Sequence, residues 1–275
     1  MARKNGIILL DGAAGTALWD MAEQAGVKKE PVWKYNIEHP EFVAELHRRY
    51  IDAGCDMIQT NTFSANGPAV AHSSDYSVAQ VVGAAAALCK KAVEGTGVRP
   101  YLSFGPPTSL LRPYGTLTKE ELDAMFTEMV GAGVEAGIGF VALETFMDLE
   151  MMRVAATAAK RFPVTVTCSM TFGKRRRTMM GDTVQKIVDT LVPLGIDGIG
   201  LNCGFGPRES MEILREFADK TGLPLYFKPN AGVGEKYDAV SFAAEMEEAL
   251  PLVHFVGGCC GCDDRYIREL GARLE

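Results

Sequence analysis

Short apolar segments alternate along the chain with longer segments in which apolar residues recur at helical spacing. The short segments are rich in β-branched residues and end at Gly, Asn, Asp or Pro, a pattern typical of strands. It predicts strands at 7–11, 56–62, 100–105, 140–145, 164–171, 198–203, 224–230 and 253–258. It predicts helices at 40–53, 78–94, 119–136, 149–161, 183–194, 208–221, 239–250 and 263–270.

Strict alternation with nearly continuous apolar strands favours a parallel sheet that is covered by helices. Eight strand–helix units in 275 residues match the closed (β/α)8 TIM barrel, an α/β fold, so we expect a single domain over residues 1–275. The alternative is an open, doubly wound sheet. That alternative lacks its usual support, because the segment 11–16 after the first strand has the wrong glycine spacing for a dinucleotide-binding turn.

The composition is that of an ordinary globular protein, with 47% hydrophobic and 23% charged residues. The 28 basic and 35 acidic side chains give a net charge of −7, which argues against nucleic acid or an anionic membrane as the main partner. No uncharged apolar run approaches the ~20 residues that span a bilayer. The apolar run before Asp11 is only four residues long, too short for a signal peptide, so we expect a cytoplasmic protein.

The predicted strands end in unusually polar residues. In a barrel of this kind the active site lies at the carboxyl ends of the strands. The residues at these ends are Asp11, Thr60, Asn61, Glu144, Thr145, Asn202, Cys203, Asn230, Cys259 and Cys260. Three cysteines therefore converge from the sixth and eighth strands, and we interpret them as a set of metal ligands.

Clustered cysteines in a reducing compartment indicate metal or redox chemistry rather than a disulfide framework. Zinc is held well by thiolates, and a catalytic zinc site keeps three protein ligands and one open position. Cys203, Cys259 and Cys260 are therefore predicted to bind Zn²⁺. Adjacent cysteines cannot both point inward from a regular strand, because successive side chains alternate. We expect the glycines at 257, 258 and 261 to supply backbone angles that other residues avoid.

The remaining four cysteines receive a simpler interpretation. Cys55, Cys89 and Cys168 are predicted to be small core residues. Cys262 forms a C-x-x-C motif with Cys259, which is compatible with a redox pair or an alternative ligand pair. A thioredoxin-like motif belongs near an early strand, whereas this one follows the eighth, so we interpret Cys262 as a neighbour that does not bind metal. A disulfide between Cys259 and Cys260 is a poor resting state for a cytosolic enzyme.

Six motifs in order along the chain resemble the homocysteine S-methyltransferase family, including the homocysteine domain of cobalamin-dependent methionine synthase. They are LDGAAGT at 10–16, TNTFSAN at 60–66, LET at 143–145, LNCG at 201–204, PNAG at 229–232 and GGCCG at 257–261. The resemblance covers essentially the whole chain and is most specific for the last motif combined with LNCG. It implies a zinc-bearing barrel in which Cys203, Cys259 and Cys260 hold the metal and the homocysteine thiolate takes its open position.

The resemblance also implies the substrate contacts. Asp11 and Glu144 match positions that the family uses near the amino group, and two carboxylates suit an ammonium that leaves water. Glu144 in particular must find a cation at the end of an apolar strand. Asn230 resembles the family's asparagine near zinc, and the small residues Gly12 and Ala13 are placed to offer backbone N–H groups to a carboxylate. Thr60 and Asn61 are either supports for the metal ligands or plain strand-end hydrogen-bonding residues.

The leading hypothesis is a zinc-dependent thiol S-methyltransferase whose zinc-bound homocysteine thiolate attacks an activated methyl group to give methionine. A coordinated thiol is deprotonated at neutral pH, so the protein needs no general base. Two alternatives stay open: transfer from a separate methyl-corrinoid protein to another thiol, and a non-enzymatic zinc-thiolate module for redox sensing or partner binding.

The sequence after Gly261 reads Cys-Asp-Asp where the family has a Thr-rich segment, and no folate or corrinoid domain is evident. We therefore expect the methyl donor to be a small sulfonium or ammonium compound or a separate methyl-corrinoid protein. The basic run at 174–177 lies in the loop after the fifth strand, on the same face as the active site. It is either a solvated loop or a docking point for an acidic donor protein.

Overall fold

The computed structural model describes residues 6–232 and 237–275 and shows eight parallel strands in a nearly closed barrel. The barrel confirms the predicted fold class. The strands are β1 Ile8–Leu9, β2 Met57–Gln59, β3 Arg99–Phe104, β4 Phe140–Phe146, β5 Thr165–Met170, β6 Gly198–Asn202, β7 Leu225–Lys228 and β8 Phe255–Val256.

Each strand pairs in parallel with its neighbours in the order β1-β8-β7-β6-β5-β4-β3-β2. The ring closes between β1 and β2 through a bridge from Leu10 to Met57. Asp56 reinforces this junction, because its backbone N–H donates to the Leu9 carbonyl and its side chain accepts from the Leu9 N–H, both at 2.7 Å. The open, doubly wound alternative is therefore wrong.

The helices of the described residues include all eight that the periodicity predicts, with ends that differ by a few residues. They are α1 Gly15–Gln24, α2 Tyr35–Glu38, α3 Pro40–Asp52, α4 Gly67–Ser73, α5 Val78–Val93, α6 Lys119–Glu135, α7 Leu149–Ala159, α8 Val184–Leu191, α9 Pro207–Lys220, α10 Ala239–Met246 and α11 Asp264–Ala272. None of these helices is both long and apolar enough to cross a membrane.

Three helices, α1, α2 and α4, were not predicted. The helix α1 follows a run of small residues and begins at Gly15, and the N-cap residue Ala14 provides no side-chain hydrogen bond. Only Leu18 and Ala22 of its ten residues are buried, so its apolar periodicity is weak. It packs against α3 and the turn at Val32–Lys34, tertiary contacts that the local sequence does not encode.

The inside of the barrel has an apolar layer below and a polar layer above. A cluster that includes Leu10, Tyr101, Ala142 and Tyr226 fills the lower part. Because side chains two residues apart lie on the same side of a strand, Glu144 sits above Ala142 and Lys228 sits above Tyr226. The alternation thus delivers charged groups to the carboxyl end of an otherwise apolar interior.

Candidate metal and substrate site

A pocket of about 840 Å³ opens at the carboxyl ends of the strands. The ends of β2, β4, β6, β7 and β8, the start of α1 and the segment 29–32 form its walls. The predicted residues Gly12, Ala13, Glu144 and the three cysteines Cys203, Cys259 and Cys260 line it. The structure therefore brings these predicted residues together in one cavity.

The sulfur atoms of Cys203, Cys259 and Cys260 lie within 4.8 Å of one another, with Cys203 Sγ and Cys260 Sγ 3.7 Å apart. A tetrahedral zinc with Zn–S bonds of about 2.3 Å separates its sulfur ligands by roughly 3.8 Å. No other group of three or more His, Cys, Asp or Glu side chains within 6–232 and 237–275 is arranged to hold a metal ion. The thiols fit a metal that favours sulfur, and they border the pocket.

The backbone around these cysteines departs from a regular strand. Cys203, directly after β6, has a φ of 61°, a left-handed conformation that is uncommon for residues other than glycine. In the GGCCG motif at 257–261, only Gly261 has a positive φ, of 85°. The expectation that Gly257 and Gly258 would supply unusual backbone angles is therefore wrong. They are needed for space, because a Cβ on Gly258 would lie 2.3 Å from Cys262 Cβ and one on Gly257 would lie 2.7 Å from the Asp11 carbonyl oxygen.

The three thiols share hydrogen bonds that favour one thiolate. Hydrogen bonds from Cys259 and Cys260 lower the pKa of Cys203 far below that of a free thiol. The same hydrogen bonds to Cys203 raise the pKa of Cys259 and of Cys260. Because metal-binding thiols must be deprotonated, a bound cation would lower the pKa of Cys259 and of Cys260.

Cys262 lies apart from this cluster. It is fully buried, packs against Gly258 and points its sulfur toward the Pro229 carbonyl oxygen at 3.8 Å. Burial raises the pKa of its thiol, so it stays protonated. Cys55, Cys89 and Cys168 are buried in the hydrophobic core. All seven cysteines are free thiols, so there is no disulfide between Cys259 and Cys260.

Two asparagines lie beside the thiols. Asn230, singled out in the sequence, donates to the Gly204 carbonyl at 3.2 Å, and its Oδ1 is buried with no hydrogen-bond partner in the described structure. This orphaned oxygen fits a position next to a ligand or a metal. The side chain of Asn202 accepts from the Thr145 N–H at 2.8 Å and from the Ser169 hydroxyl at 2.6 Å. Asn202 thus fixes Thr145, whose φ is 66°, at the pocket wall.

Asp11 is completely buried and does not line the pocket. Its carboxylate accepts hydrogen bonds from the Gln59 backbone N–H at 2.7 Å, the Gln59 side chain at 3.2 Å and the Tyr101 hydroxyl at 2.8 Å. Burial raises the pKa of this carboxyl group, against the lowering by Lys228. Asp11 therefore organises the residues below the pocket surface.

Glu144 does reach the pocket. One of its oxygens accepts from the Ser103 hydroxyl at 2.8 Å and the other from the Tyr226 hydroxyl. The cation that it needs is Lys228, which the sequence interpretation missed: its Nζ lies 3.6 Å from Glu144 Oε1 and 3.3 Å from Asp11 Oδ1. Burial alone would lower the pKa of Lys228, but Glu144 and Asp11 raise it above its usual value. A lysine at the end of an apolar strand was the signal that could have revealed it.

The loop after β1 differs in part from expectation. The Ala13 N–H already donates to the Cys262 carbonyl at 2.9 Å. Gly12 is required for space, because a Cβ there would lie 2.3 Å from the same carbonyl oxygen. The first residues of α1, Gly15 and Thr16, also line the pocket, and their end of the helix has no side-chain cap. Helix N–H groups that face a pocket suit an anion such as a carboxylate.

Thr60 and Asn61 make strand-end hydrogen bonds at the pocket wall. The Thr60 hydroxyl pairs with that of Thr62 at 2.7 Å. The Asn61 side chain donates to the Val32 carbonyl at 2.7 Å and to the Asn36 side chain at 3.0 Å. Asn61 therefore holds the segment around Val32 against the end of β2.

A family model described as homocysteine S-methyltransferase matches residues 8–274. The chain belongs to this family. Methionine synthase of Mycobacterium leprae is 29% identical over 98% of this chain, and methionine synthase of Mycobacterium tuberculosis is 29% identical over 87%. The chain spans about a quarter of these relatives, 24% and 22% of their lengths.

The chain is also similar to solved structures of a homocysteine methyltransferase. The homocysteine methyltransferase MmuM from Escherichia coli in its apo form is 25% identical, with a TM-score of 0.76 over 98% of this chain and 97% of that chain. The metallated form of MmuM has a TM-score of 0.79 with the same coverage at 23% identity, which shows the shared fold.

The basic run at 174–177 is exposed on the loop after β5. Arg176 pairs with Glu212 of α9 at 2.9 Å, and Arg177 donates to the Gly181 carbonyl at 3.0 Å. Two of its four cations therefore have partners within the chain. An exposed pair of this kind contributes little to stability.

Replacing Asn202 by Ala should lower the free energy of unfolding by at least about 2 kcal/mol, because the Thr145 N–H and the Ser169 hydroxyl would both lose their buried acceptor. Denaturant titration measures the change. The matched control is Ser169→Ala, which removes one donor and leaves the Thr145 hydrogen bond; it should lower stability by about 1 kcal/mol. Equal losses in the two variants would contradict the role given to Asn202.

Proposed function

We propose that this barrel is a zinc-dependent homocysteine S-methyltransferase that makes methionine. One observation carries the proposal: three thiols with the spacing of tetrahedral zinc ligands border the same pocket as a buried carboxylate, Glu144. A thiol-bearing amino acid can bind such a site at two points. Its sulfur binds a metal that favours sulfur, and its ammonium group binds the carboxylate. Family membership supports the same substrate.

Cys203, Cys259 and Cys260 would hold the zinc, and the pocket would supply room for the substrate beside them. When bound, zinc keeps a coordinated thiol deprotonated at neutral pH. Cys262 takes no part, since its sulfur faces Pro229. The alternative of a redox module required Cys262, and the position of its sulfur argues against that role.

The rest of the pocket would orient the amino acid. Glu144 presents its carboxylate to the substrate ammonium, and the uncapped start of α1 presents backbone N–H groups to the substrate carboxylate. With both charged ends held, the substrate sulfur is directed toward the three thiols. Because the reacting sulfur is already held in place, less entropy is lost on the way to the transition state.

The reaction is a methyl transfer in which the homocysteine sulfur attacks the methyl carbon of the donor. The new S–CH₃ bond forms as the bond from the donor to the methyl group breaks, and the donor leaves with that electron pair. The thiol proton passes to solvent. We propose a donor that is either a small sulfonium or ammonium compound or a methyl-corrinoid protein, and the open pocket is large enough for an amino acid and a small donor together.

Zinc content is the first test of the proposal. We expect about one zinc per chain, held tightly by three thiolates. Replacement of Cys203, Cys259 or Cys260 by Ser should abolish stoichiometric zinc binding, measured by atomic emission after dialysis. The matched control is Cys262→Ser, which removes a buried thiol of the same motif and should leave zinc bound. Full zinc in any of the first three variants would exclude this ligand set.

Substrate binding is the second test. Replacing Glu144 by Gln should weaken homocysteine binding by roughly 1.5–3 kcal/mol, the value of a hydrogen bond to a charged group, without loss of zinc. Isothermal titration of zinc-loaded protein measures the affinity. The matched control is Glu30→Gln, which lines the same pocket but pairs with Lys34. An unchanged affinity in Glu144→Gln would place the amino group elsewhere.

The third test identifies the donor. Purified protein with homocysteine and either S-methylmethionine or a methyl-corrinoid protein is assayed for methionine. If the corrinoid protein is the donor, replacing Lys174, Arg175 and Arg176 by Ala should slow transfer at low salt, because exposed charges act over only about 8 Å at physiological ionic strength. Transfer from the small donor should be unchanged. Rapid turnover with small donors and none with the methyl-corrinoid protein would show that the basic loop is only a solvated surface.

A further inference from the structure

Tyr50 of α3 is a buried side chain that lies outside the pocket and that the proposed reaction does not use. Its hydroxyl donates to the Ala13 carbonyl oxygen at 2.7 Å and lies 3.2 Å from the Cys262 carbonyl oxygen. Burial raises the pKa of this hydroxyl well above its usual value, so it stays protonated and remains a donor. One side chain of an outer helix therefore contacts both the loop 11–14 after β1 and the turn 259–262 after β8.

The loop and the turn also contact each other directly at this point. The Ala13 N–H donates to the Cys262 carbonyl at 2.9 Å. No side chain fits between them, because a Cβ on Gly12 would lie 2.3 Å from the Cys262 carbonyl oxygen and 2.8 Å from Tyr50 Oη. The Tyr50 hydroxyl therefore lies at a closely packed junction, where it contacts one carbonyl group from each segment.

Each of the two segments leads to a different wall of the pocket. The loop continues into α1, whose first residues Gly15 and Thr16 line the pocket. The turn carries Cys259 and Cys260, which line it as well. In the proposed function the start of α1 binds the substrate carboxylate and the thiols bind the metal. The junction therefore sets the distance that the substrate spans, and small errors in such distances weaken a site.

We propose that Tyr50 is a positioning residue for the methyl transfer, whose hydroxyl joins the loop 11–14 to the turn 259–262 and so fixes the start of α1 relative to the metal thiols. The inference rests on the proposed function and deepens it. Tyr50 acts only through backbone carbonyl groups. Because the two segments move as one unit, metal binding at the turn and substrate binding at α1 are coupled, and each favours the other.

The first measurement needs no variant. Hydrogen exchange of the full chain is followed by mass spectrometry with and without zinc. Zinc should slow the exchange of peptides that cover Ala13 and the start of α1 by about fivefold or more, the lower end of typical coupling between two sites. The comparison peptide comes from α6, which packs against α5 and α7 and should be unaffected.

The second measurement removes the hydroxyl and keeps the ring. In Tyr50→Phe the zinc affinity, measured by competition with a chromogenic chelator, should fall by about tenfold, as for other residues that orient metal ligands. The homocysteine affinity of the zinc-loaded variant, measured by calorimetry, should fall by about fivefold or more because the two sites are coupled. The matched control is Tyr266→Phe, which removes a hydroxyl that donates to the Tyr237 carbonyl at 2.8 Å. Both affinities should be unchanged in this control.

A general loss of stability would affect Tyr50→Phe and Tyr266→Phe alike, so equal losses of affinity in the two variants would overturn the inference. An unchanged zinc affinity or an unchanged homocysteine affinity in Tyr50→Phe would overturn it too. If Tyr50→Phe does not fold, the exchange measurement on the unmodified protein decides, and exchange at Ala13 that does not respond to zinc contradicts the link. Failure of the unmodified protein to bind homocysteine would overturn the proposed function, whereas zinc affinity and hydrogen exchange would still test the junction.

Discussion

Closure of the sheet between β1 and β2 is the constraint on which the site depends. A closed ring of parallel strands directs all eight carboxyl ends to one rim, so residues far apart in the chain meet there. Asp11 after the first strand accepts hydrogen bonds from Gln59 of the second strand and Tyr101 of the third because Leu10 bridges to Met57 and the ring is complete. A sheet open at this junction would leave β1 and β2 at opposite edges and would separate Asp11 from Gln59 and Tyr101.

The closed barrel also encloses charged side chains, and its polar layer supplies their partners. Charges enclosed by apolar walls interact strongly and are stable only when they are paired. Lys228 lies between two carboxylates, and the tyrosine hydroxyls of Tyr101 and Tyr226 supply the remaining hydrogen bonds. The three thiols at the same end of the barrel lie within 4.8 Å of one another, a spacing that suits a metal cation that favours sulfur.

Local backbone geometry links the two halves of the site. Thr145 and Cys203, at the ends of β4 and β6, both adopt left-handed conformations, and the side chain of Asn202 connects them. Such conformations persist only where surrounding contacts fix them, and they cluster at functional sites. Gly258 contributes differently, because its missing side chain lets Cys262 pack against the backbone that carries Cys259 and Cys260. These contacts fix the backbone that carries the three thiols.

The sequence by itself determined the barrel, the eight strand–helix units and the convergence of three cysteines, because apolar periodicity and strand-end position are local properties. It also required a cation for Glu144 without identifying it. Tertiary structure alone decided that the cation is Lys228, that Asp11 lies below the pocket, that Gly257 and Gly258 provide space, and that α1 forms part of the wall. These features depend on distances between different strands and helices, which no local pattern encodes, so they emerge only when the ring has closed.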